Sequence, residues 1–480
     1  MRGEVRFLLN GAPRTVSNAA PTTTVLDHLR LAERACGTKE GCAEGDCGAC
    51  TVVLGETAGE RIQWQAINSC ITFLPQIDGK IVLTVEGLAD GAALHPVQKA
   101  LVENDASQCG FCTPGFVMAL FAFQHGGESP ATESVHEALA GNLCRCTGYR
   151  PIIAAAEAVA GAPDRFDTAE PVLRQALASL CRDDAGLALA QDGQRCFAPV
   201  SLADLLALRA EHPDAHLLAG GTDLALLVTK EYRTLPTVIL VTRVPELREI
   251  AVDGNAVTIG AAATYTEALP VLERYWPSFG RLIRRIGSRQ IRNLGTIGGN
   301  IANASPIGDT PPALIALGAT LRLASRRGRR EIALEDFFVG YRKTALADGE
   351  IVESVRIPLP RPEQRFRTDK IAKRWDQDIS ALCAAFNVTM RGGRIAAARI
   401  VYGGMAATPR RSVRAETALI GRAWDLAAVE TAAAELAADF QPISDWRAGA
   451  DYRRDVAANL LRRFWLETAR SDLPLDVMAL

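Results

Sequence analysis

The sequence has almost no net charge: 53 lysines and arginines against 55 aspartates and glutamates leave a net charge of -2. Proteins that bind nucleic acid usually carry a basic excess, so we expect no nucleic-acid partner. The sequence also lacks any run of ~18 apolar residues, the length that crosses a membrane. Its first segment, MRGEVRFLLNGAPRTV, has neither a charged stretch followed by an apolar one nor a twin-arginine motif. We therefore expect a cytoplasmic protein with no membrane partner.

The glycine pattern G-x-G-x-x-G is absent as well, so nothing supports a Rossmann nucleotide site. At 480 residues the chain is too long for one hydrophobic core, and we expect several domains of ~100–200 residues each. What the sequence does have is cysteine: of twelve, eight fall into two tight groups between residues 42 and 146. In a reducing compartment such groups favour metal ligation over disulfides. The other four are expected to be buried or inert thiols: Cys36, Cys181, Cys196 and Cys383.

The first group has a C-x4-C-x2-C spacing in GTKEGCAEGDCGACTVV and a fourth member in INSCITF: Cys42, Cys47, Cys50 and Cys70. Plant-type [2Fe–2S] clusters have this pattern. The loop glycines Gly41, Gly45 and Gly48 suit a chain that wraps closely around a cluster, with positive φ angles and amide N–H groups directed at sulfur. Zinc is the competing metal, but zinc knuckles usually pair two C-x2-C motifs, and no such repeat occurs. Nearby patterns predict a hairpin over residues 4–16, a helix over 23–31, and strands over 51–54 and 81–86.

The second group pairs Cys109 and Cys112, in SQCGFCTPG, with Cys144 and Cys146, in GNLCRCTGYRP. The surrounding pattern is helical, with helices predicted over residues 95–104, 115–125, 134–140 and 151–160. Four short helices with cysteine pairs at their junctions predict a small all-α bundle that holds a metal centre at its helix ends. The C-x2-C…C-x-C spacing by itself leaves zinc open as the metal.

Those two segments closely resemble the helical [2Fe–2S] domain of the molybdenum hydroxylases, the xanthine dehydrogenase and aldehyde oxidase family. The resemblance implies two [2Fe–2S] clusters, one held by each group of four cysteines. It also implies that the second cluster lies beside a molybdopterin cofactor, with Gln108 and Cys146 nearest to the pterin.

Two further segments have the composition of ligand-binding loops. In LLAGGTDLALL, a strand, a Gly220–Gly221 turn and Thr222 as a helix cap would form a phosphate cradle of backbone amides. As a bare motif, it fits a structural Gly-Gly turn better. The segment GSRQIRNLGTIGGNIANASPIGDTPPALIALGA is rich in glycine, asparagine and serine, as loops around a large polar ligand are. Both segments resemble the FAD-binding domain of the same family.

The resemblance implies FAD contacts from several parts of the chain. The pyrophosphate would be held by Leu217, Leu218, Ala219, Gly220, Gly221, Thr222, Asp223 and Leu224. The ribityl and adenosine side would be held by Thr296, Gly299, Asn300, Ser305 and Asp309. Near the flavin, Ile286 would pack beside the isoalloxazine where the family has an aromatic residue, Val352 would line the pocket, and Lys370 would come from the last domain. The NAD+ side would include Tyr341, Trp375, Asp376 and Asp378, although simple packing of Tyr341 and Trp375 at a domain boundary fits equally well.

The resemblance covers the whole chain in order and implies a multidomain α+β protein. Its parts are a β-grasp ferredoxin domain (residues 1–87), an all-α four-helix [2Fe–2S] domain (88–163), a linker (164–190), an α+β FAD-binding domain (191–362) and an α/β C-terminal flavoprotein domain (363–480). In the last domain, the pattern predicts strands over 380–390 and 395–402, followed by helices over 415–421, 426–439 and 452–468.

The implied function is that of the iron–sulfur and FAD subunit of a xanthine dehydrogenase, with no catalytic residue of its own. Electrons from hypoxanthine or xanthine would pass from a molybdopterin cofactor on a larger partner subunit through both clusters to FAD and then to NAD+, in an (αβ)2 heterotetramer. Because substrate contacts would lie on the partner, an aldehyde or N-heterocycle hydroxylase subunit fits the sequence too. A redox module with no turnover of its own is the alternative from another class.

Overall fold

The structure, a computed structural model, describes residues 1–127, 129, 131–180 and 185–469. Cys181, one of the four single cysteines, lies outside these residues. The chain divides into two units: Met1–Glu246 with Gly287–Gly295, and Leu247–Ile286 with the described residues from Thr296 onward. Within the described ranges, no helix is both long and apolar enough to cross a membrane.

The first unit begins with a β-grasp sheet, as predicted. Its five strands are β1 (Val5–Leu9), β2 (Ala12–Val16), β3 (Thr51–Ala58), β4 (Arg61–Asn68) and β5 (Ile81–Leu83). They lie in the order β2-β1-β5-β3-β4, with β1 and β5 parallel and the other pairs antiparallel. The strand predicted over 81–86 ends early because Val85–Gly87 forms a 3-10 turn. The predicted helix over 23–31 is a short α-helix, Val25–Asp27, that continues as a π-helical turn, His28–Ala32.

Strands β1, β3 and β5 are buried on both faces, which explains why they are apolar at consecutive positions. Successive side chains of a strand point to opposite faces. Leu8 and Val53 accordingly pack with the helices of the second cysteine group. Phe7 and Val52 belong instead to a core that includes the strands over residues 187–240.

Four helices surround the second cysteine group, close to the predicted positions: Pro96–Glu103, Thr113–Gln124, Thr132–Leu139 and Arg150–Val159. Proline occupies the first or second position in three of them, where its missing N–H costs no hydrogen bond. A fifth helix, Arg165–Leu180, lies in the stretch that we interpreted as a linker. Its buried Phe166 and Leu177 join the same core, so that stretch includes a packed element.

The rest of the first unit is a four-stranded sheet with short helices. Its strands are β6 (Leu187–Gln191), β7 (Gln194–Ala198), β8 (His216–Leu218) and β9 (Thr237–Leu240), in the order β6-β7-β9-β8. The helix Leu202–Glu211 is capped by Ser201, which accepts a hydrogen bond from the Asp204 amide. Further short helices are Leu226–Thr229 and Arg289–Arg292.

The second unit contains an antiparallel sheet with the order β10-β11-β16-β12-β13. Its strands are β10 (Ile250–Val252), β11 (Ala256–Gly260), β12 (Thr320–Ser325), β13 (Gly328–Ala333) and β16 (Ile351–Pro358). A separate hairpin joins β14 (Phe338–Gly340) and β15 (Lys343–Thr344). The helices are Tyr265–Tyr275, Pro277–Arg284, Ile297–Ala302, Thr310–Ala316 and Leu334–Phe337.

The C-terminal part is strand-rich and then helical, as predicted. Its sheet has the order β17 (Gln364–Ile371), β18 (Leu382–Arg391), β19 (Arg394–Gly403) and β20 (Arg410–Arg411). The helices Val413–Leu419, Leu426–Asp439 and Ala450–Ala469 follow. Successive residues of β18 again serve two cores, since Cys383 packs toward the preceding sheet and Leu382 toward these helices.

Candidate iron–sulfur and flavin sites

The first cysteine group is drawn together between the loop before β3 and the turn after β4. Cys50 and Cys70 are buried, and their sulfur atoms lie 3.2 Å apart, well beyond the ~2.05 Å of a disulfide. The amides of Glu44, Asp46 and Cys47 donate to the Cys42 sulfur over 3.5, 3.4 and 3.3 Å. Amide donors around thiolate sulfur stabilise negative charge there, as an iron–sulfur site requires.

Gly45 and Gly48 have the positive φ angles that the sequence analysis predicted, whereas Gly41 does not. Gly45 and Gly48 adopt φ angles of +80° and +71°, where other residues are strained. A Cβ at Gly41 would lie 2.6 Å from the Cys47 sulfur. A side chain at that position would fill the space beside the sulfur, so the loop fits a bound cluster.

Hydrogen bonds between sulfur atoms shift the pKa values of this group in opposite directions. They lower the pKa of Cys42, through Cys47 and Cys70, and that of Cys50, through Cys70. The same bonds raise the pKa of Cys47 and Cys70. Four cysteine sulfurs that interact in this way form a donor set suited to a thiolate-ligated centre.

The second group gathers at helix ends in the same unit. Cys109 and Cys112 precede the helix Thr113–Gln124, and Cys144 and Cys146 precede the helix Arg150–Val159. Thr147 donates to the Cys144 sulfur from its amide (3.4 Å) and its hydroxyl (3.1 Å).

Burial and sulfur contacts shift the acidity of these thiols in opposite directions. Burial, followed by a hydrogen bond to Cys144, raises the pKa of Cys112 to about 12. Burial also acts to raise the pKa of Cys144, but hydrogen bonds from Thr147 outweigh it and the pKa is lowered. A hydrogen bond to Cys109 raises the pKa of Cys146. Cys112 thus interacts with Cys144, and Cys109 with Cys146, in the group of four predicted ligands. Gln108 and Cys146, predicted near the pterin, are exposed.

The predicted pyrophosphate loop follows β8 in the first unit. Gly221 has a φ of +79°, and a Cβ at Gly220 would lie 1.9 Å from the Leu294 carbonyl oxygen, so both positions require glycine. The prediction that Thr222 caps a helix is wrong: residues 222–225 form a turn, and the helix begins at Leu226 with Ala225 as its cap. The loop therefore offers turn amides rather than a helix N-terminus.

The other predicted FAD residues belong to the second unit, and several bond to one another there. Thr296 caps the helix Ile297–Ala302 by accepting from the Gly299 amide over 3.0 Å. The Asn300 side-chain oxygen accepts a hydrogen bond from the Thr310 hydroxyl. The Ser305 hydroxyl accepts one from the Ile307 amide. These bonds fix the shape of the loop over residues 296–310.

Asp309 and Lys370 form a buried ion pair of 2.7 Å. The second oxygen of Asp309 accepts from the Ser380 hydroxyl. This pairing was not predictable from the sequence, because the two residues are 61 positions apart. Lys370 lies on β17, and Asp309 lies just before the helix Thr310–Ala316. Val352 is buried on β16, and Ile286 packs against the same core.

The residues predicted on the NAD+ side are exposed or partly exposed. Tyr341 (63% exposed) lies in the turn between β14 and β15, and Trp375 is 50% exposed. The sequence analysis missed Arg285, whose guanidinium lies 4.2 Å from the centre of the Trp375 ring and donates to the Lys370 carbonyl over 2.8 Å. Arg285 directly precedes Ile286, which we predicted beside the isoalloxazine, and this neighbourhood could have identified it.

The two acidic residues of this loop differ in their surroundings. Asp376 is exposed. Partial burial acts to raise the pKa of Asp378, but amide hydrogen bonds, among them one of 2.8 Å from Arg374, outweigh it and lower that pKa. Asp378 therefore shapes the loop as well as carrying charge.

Four domain families match the chain in the order expected from the sequence. They are described as a 2Fe-2S iron-sulfur cluster binding domain (residues 7–75), a [2Fe-2S] binding domain (84–157), a FAD binding domain in molybdopterin dehydrogenase (191–360) and a CO dehydrogenase flavoprotein C-terminal domain (367–468). The chain thus contains two iron–sulfur domains and two flavoprotein domains.

Among curated proteins, xanthine dehydrogenase of Emericella nidulans is 32% identical over 99% of this chain and 40% of its own length. Xanthine dehydrogenase/oxidase of Rattus norvegicus is 30% identical over 98% of this chain and 40% of its own length. The chain therefore spans less than half the length of these relatives.

Among solved structures, a chain of CO dehydrogenase from Oligotropha carboxidovorans is 33% identical, with a TM-score of 0.53, over 55% of this chain and 94% of that one. A chain of quinoline 2-oxidoreductase from Pseudomonas putida 86 is 30% identical, with a TM-score of 0.53, over 57% and 96%. Together with the four domain families and the two cysteine groups, these likenesses show that the chain belongs to the molybdenum hydroxylase family of oxidoreductases.

Proposed function

We propose that this chain is the iron–sulfur and FAD subunit of a xanthine dehydrogenase. The observation that carries the proposal is the pair of four-cysteine groups, each gathered in one domain ahead of the flavoprotein domains. Relatives named xanthine dehydrogenase align with nearly the whole chain, which favours a purine as the substrate of the complex.

Each group of four cysteines would ligate one [2Fe–2S] cluster, and the flavoprotein domains would bind FAD. When bound, the clusters would carry single electrons and FAD would combine them into pairs. The chain's own contribution is to fix thiolate ligands and to direct amides at sulfur, as the amides of Glu44, Asp46 and Cys47 do at Cys42. Such donors raise a cluster's reduction potential.

The proposal includes a larger partner subunit that binds molybdopterin and oxidises hypoxanthine and xanthine, and an (αβ)2 heterotetramer. Gln108 and Cys146 would face the pterin from the exposed side of the second group. NAD+ would accept the electrons near Trp375 and Tyr341, whose exposed rings could stack on a nicotinamide.

The second candidate is the same electron-transfer role in a hydroxylase of N-heterocycles. The likeness to quinoline 2-oxidoreductase at 30% identity favours it. Co-expression with candidate partner subunits and assays with xanthine and with quinoline would distinguish the two.

Metal analysis of the isolated chain tests the core of the proposal. We expect four iron, four sulfide and one FAD per chain, with two distinct electron paramagnetic resonance (EPR) signals after reduction. Cys47→Ser should remove one signal and Cys112→Ser the other, because each change deletes one ligand of a different group.

Cys36→Ser is the matched control, since Cys36 is an exposed cysteine outside both groups, and it should leave both signals intact. Zinc in place of iron at either group, or loss of both signals from a single cysteine change in a folded protein, would contradict the assignment.

A further inference from the structure

The two cysteine groups meet through their backbones. The Leu143 amide donates to the Cys47 carbonyl over 3.0 Å, and Leu143 directly precedes Cys144. A short path from Cys47 to Cys144 therefore consists of this hydrogen bond and the backbone of Leu143.

Glycines make this approach possible. A Cβ at Gly48 would lie 2.1 Å from the Gly141 carbonyl oxygen, and a Cβ at Gly115 would lie 2.3 Å from the Gly48 carbonyl oxygen. Any side chain at Gly48 or Gly115 would force the two backbones apart.

A relay of buried polar side chains holds the same junction. The Asn142 amide group donates to the Gly48 carbonyl over 3.0 Å and to the Thr51 hydroxyl over 3.2 Å. The Gln290 amide group donates to the Asn142 side-chain oxygen over 2.8 Å. Asn142 is 2% exposed and Gln290 is 0% exposed. Among the described residues, the Gln290 side-chain oxygen finds no hydrogen-bond partner.

Burying an amide oxygen without a donor costs free energy, so packing alone would favour an apolar residue at position 290. The Gln290 amide group instead provides a directional hydrogen bond that orients Asn142. Asn142 in turn holds the Gly48 carbonyl, next to Cys47. Hydrogen-bonded networks of this kind specify one arrangement where apolar packing would tolerate several.

We propose that Asn142 and Gln290 are positioning residues that set the separation of the two cysteine groups across the Leu143–Cys47 hydrogen bond. The inference rests on the proposed function, because it concerns the coupling of the clusters that the groups would hold. The transfer it serves moves one electron from one group's cluster to the other's, with no bond formed or broken.

The magnetic interaction between two reduced clusters tests the inference, because dipolar splitting of EPR signals falls with the cube of their distance. In the isolated holo-chain we expect both signals to show such splitting at low temperature. Asn142→Leu and Gln290→Met should retain the iron and both signals but reduce or abolish the splitting. Gln290 bonds to Asn142 and Thr51 and belongs to neither cysteine segment, so Gln290→Met decides the question if Asn142→Leu fails to fold.

Asn293→Leu is the matched control. Asn293 is a buried amide in the same segment, and it donates to the carbonyl of Ala66, a strand β4 residue, over 2.8 Å. Its variant should keep the splitting. Unchanged splitting in Gln290→Met, equal loss in Asn293→Leu, or no splitting in the wild type with both clusters reduced would each overturn the inference. A wild type without iron would instead overturn the proposed function.

Discussion

At the scale of single residues, Gly221 lies in the loop that we predict to hold the FAD pyrophosphate. Its φ of +79° costs other residues roughly 1–2 kcal/mol, and its Cβ would lie 3.2 Å from the Ile71 carbonyl oxygen. If the turn after β8 holds the FAD pyrophosphate, Gly221→Val should remove FAD and leave the iron content unchanged. Flavin released by acid and iron counted on the same sample would measure both.

Gly193→Val is the control at this scale. Gly193 has a φ of +74°, and no atom in the described part of the chain lies within 4 Å of its Cβ position, so it shares the backbone strain but not the predicted site. FAD retained in Gly221→Val, or iron lost while FAD stays, would show that the predicted pyrophosphate site is misplaced.

At the scale of elements, one carboxylate ties three helix ends together in the first unit. The Asp164 Oδ2 atom lies 2.6 Å from the His95 Nε2 atom and 2.8 Å from the His125 Nε2 atom. His95 caps the helix Pro96–Glu103, His125 ends the helix Thr113–Gln124, and Asp164 itself precedes the helix Arg165–Leu180. The Asp164 side chain is only 1% exposed.

This contact predicts a dependence of stability on pH. Burial acts to raise the pKa of Asp164, but hydrogen bonds from His125 and His95 outweigh it and hold that pKa well below its ordinary value. A lowered pKa stabilises the fold at pH values above the unfolded pKa of about 3.9, and this stabilisation is lost progressively as the pH falls from there through the lower folded-state pKa. Asp164→Asn should lower the free energy of unfolding at neutral pH by roughly 1.5–3 kcal/mol and weaken its decline in acid.

Urea denaturation of the holo-chain, followed by helical circular dichroism at several pH values, would measure this. Glu103→Gln is the control, because Glu103 forms an exposed pair with Lys99 on one of the same helices and should change stability little. Equal effects of the two substitutions would argue against a special role for Asp164.

At the scale of the whole molecule, the chain spans 40% of the length of its xanthine dehydrogenase relatives. If the purine site lies on a partner, the isolated chain should be inert toward hypoxanthine and xanthine and still pass electrons from NADH to an artificial dye. Trp375→Ala should slow the NADH-dependent rate without changing iron or FAD content, because it removes the exposed ring beside Arg285.

Trp446→Ala removes another exposed ring of the second unit and should leave the dye rate unchanged. Purine oxidation by the purified chain would exclude the two-subunit proposal. If Trp375→Ala reduces the dye with NADH at the wild-type rate, Trp375 does not contribute to the NAD+ side.

The sequence alone determined the order of the domains, the two cysteine groups and the glycines around the first group. These features are local: ligands that share a loop must have a fixed spacing, and a chain that wraps around them needs glycine at particular positions. Strands and helices with a clear hydrophobic pattern were predictable for the same reason.

Only the tertiary structure decided which distant side chains meet. Gln290 reaches Asn142 across 148 positions of the chain, Asp164 gathers two histidines, and Lys370 pairs with Asp309. It also showed that the helix after β8 begins at Leu226 and not beside Thr222. No local pattern encodes such contacts, because the packing of whole elements brings the partners together and burial then requires each polar group to find one.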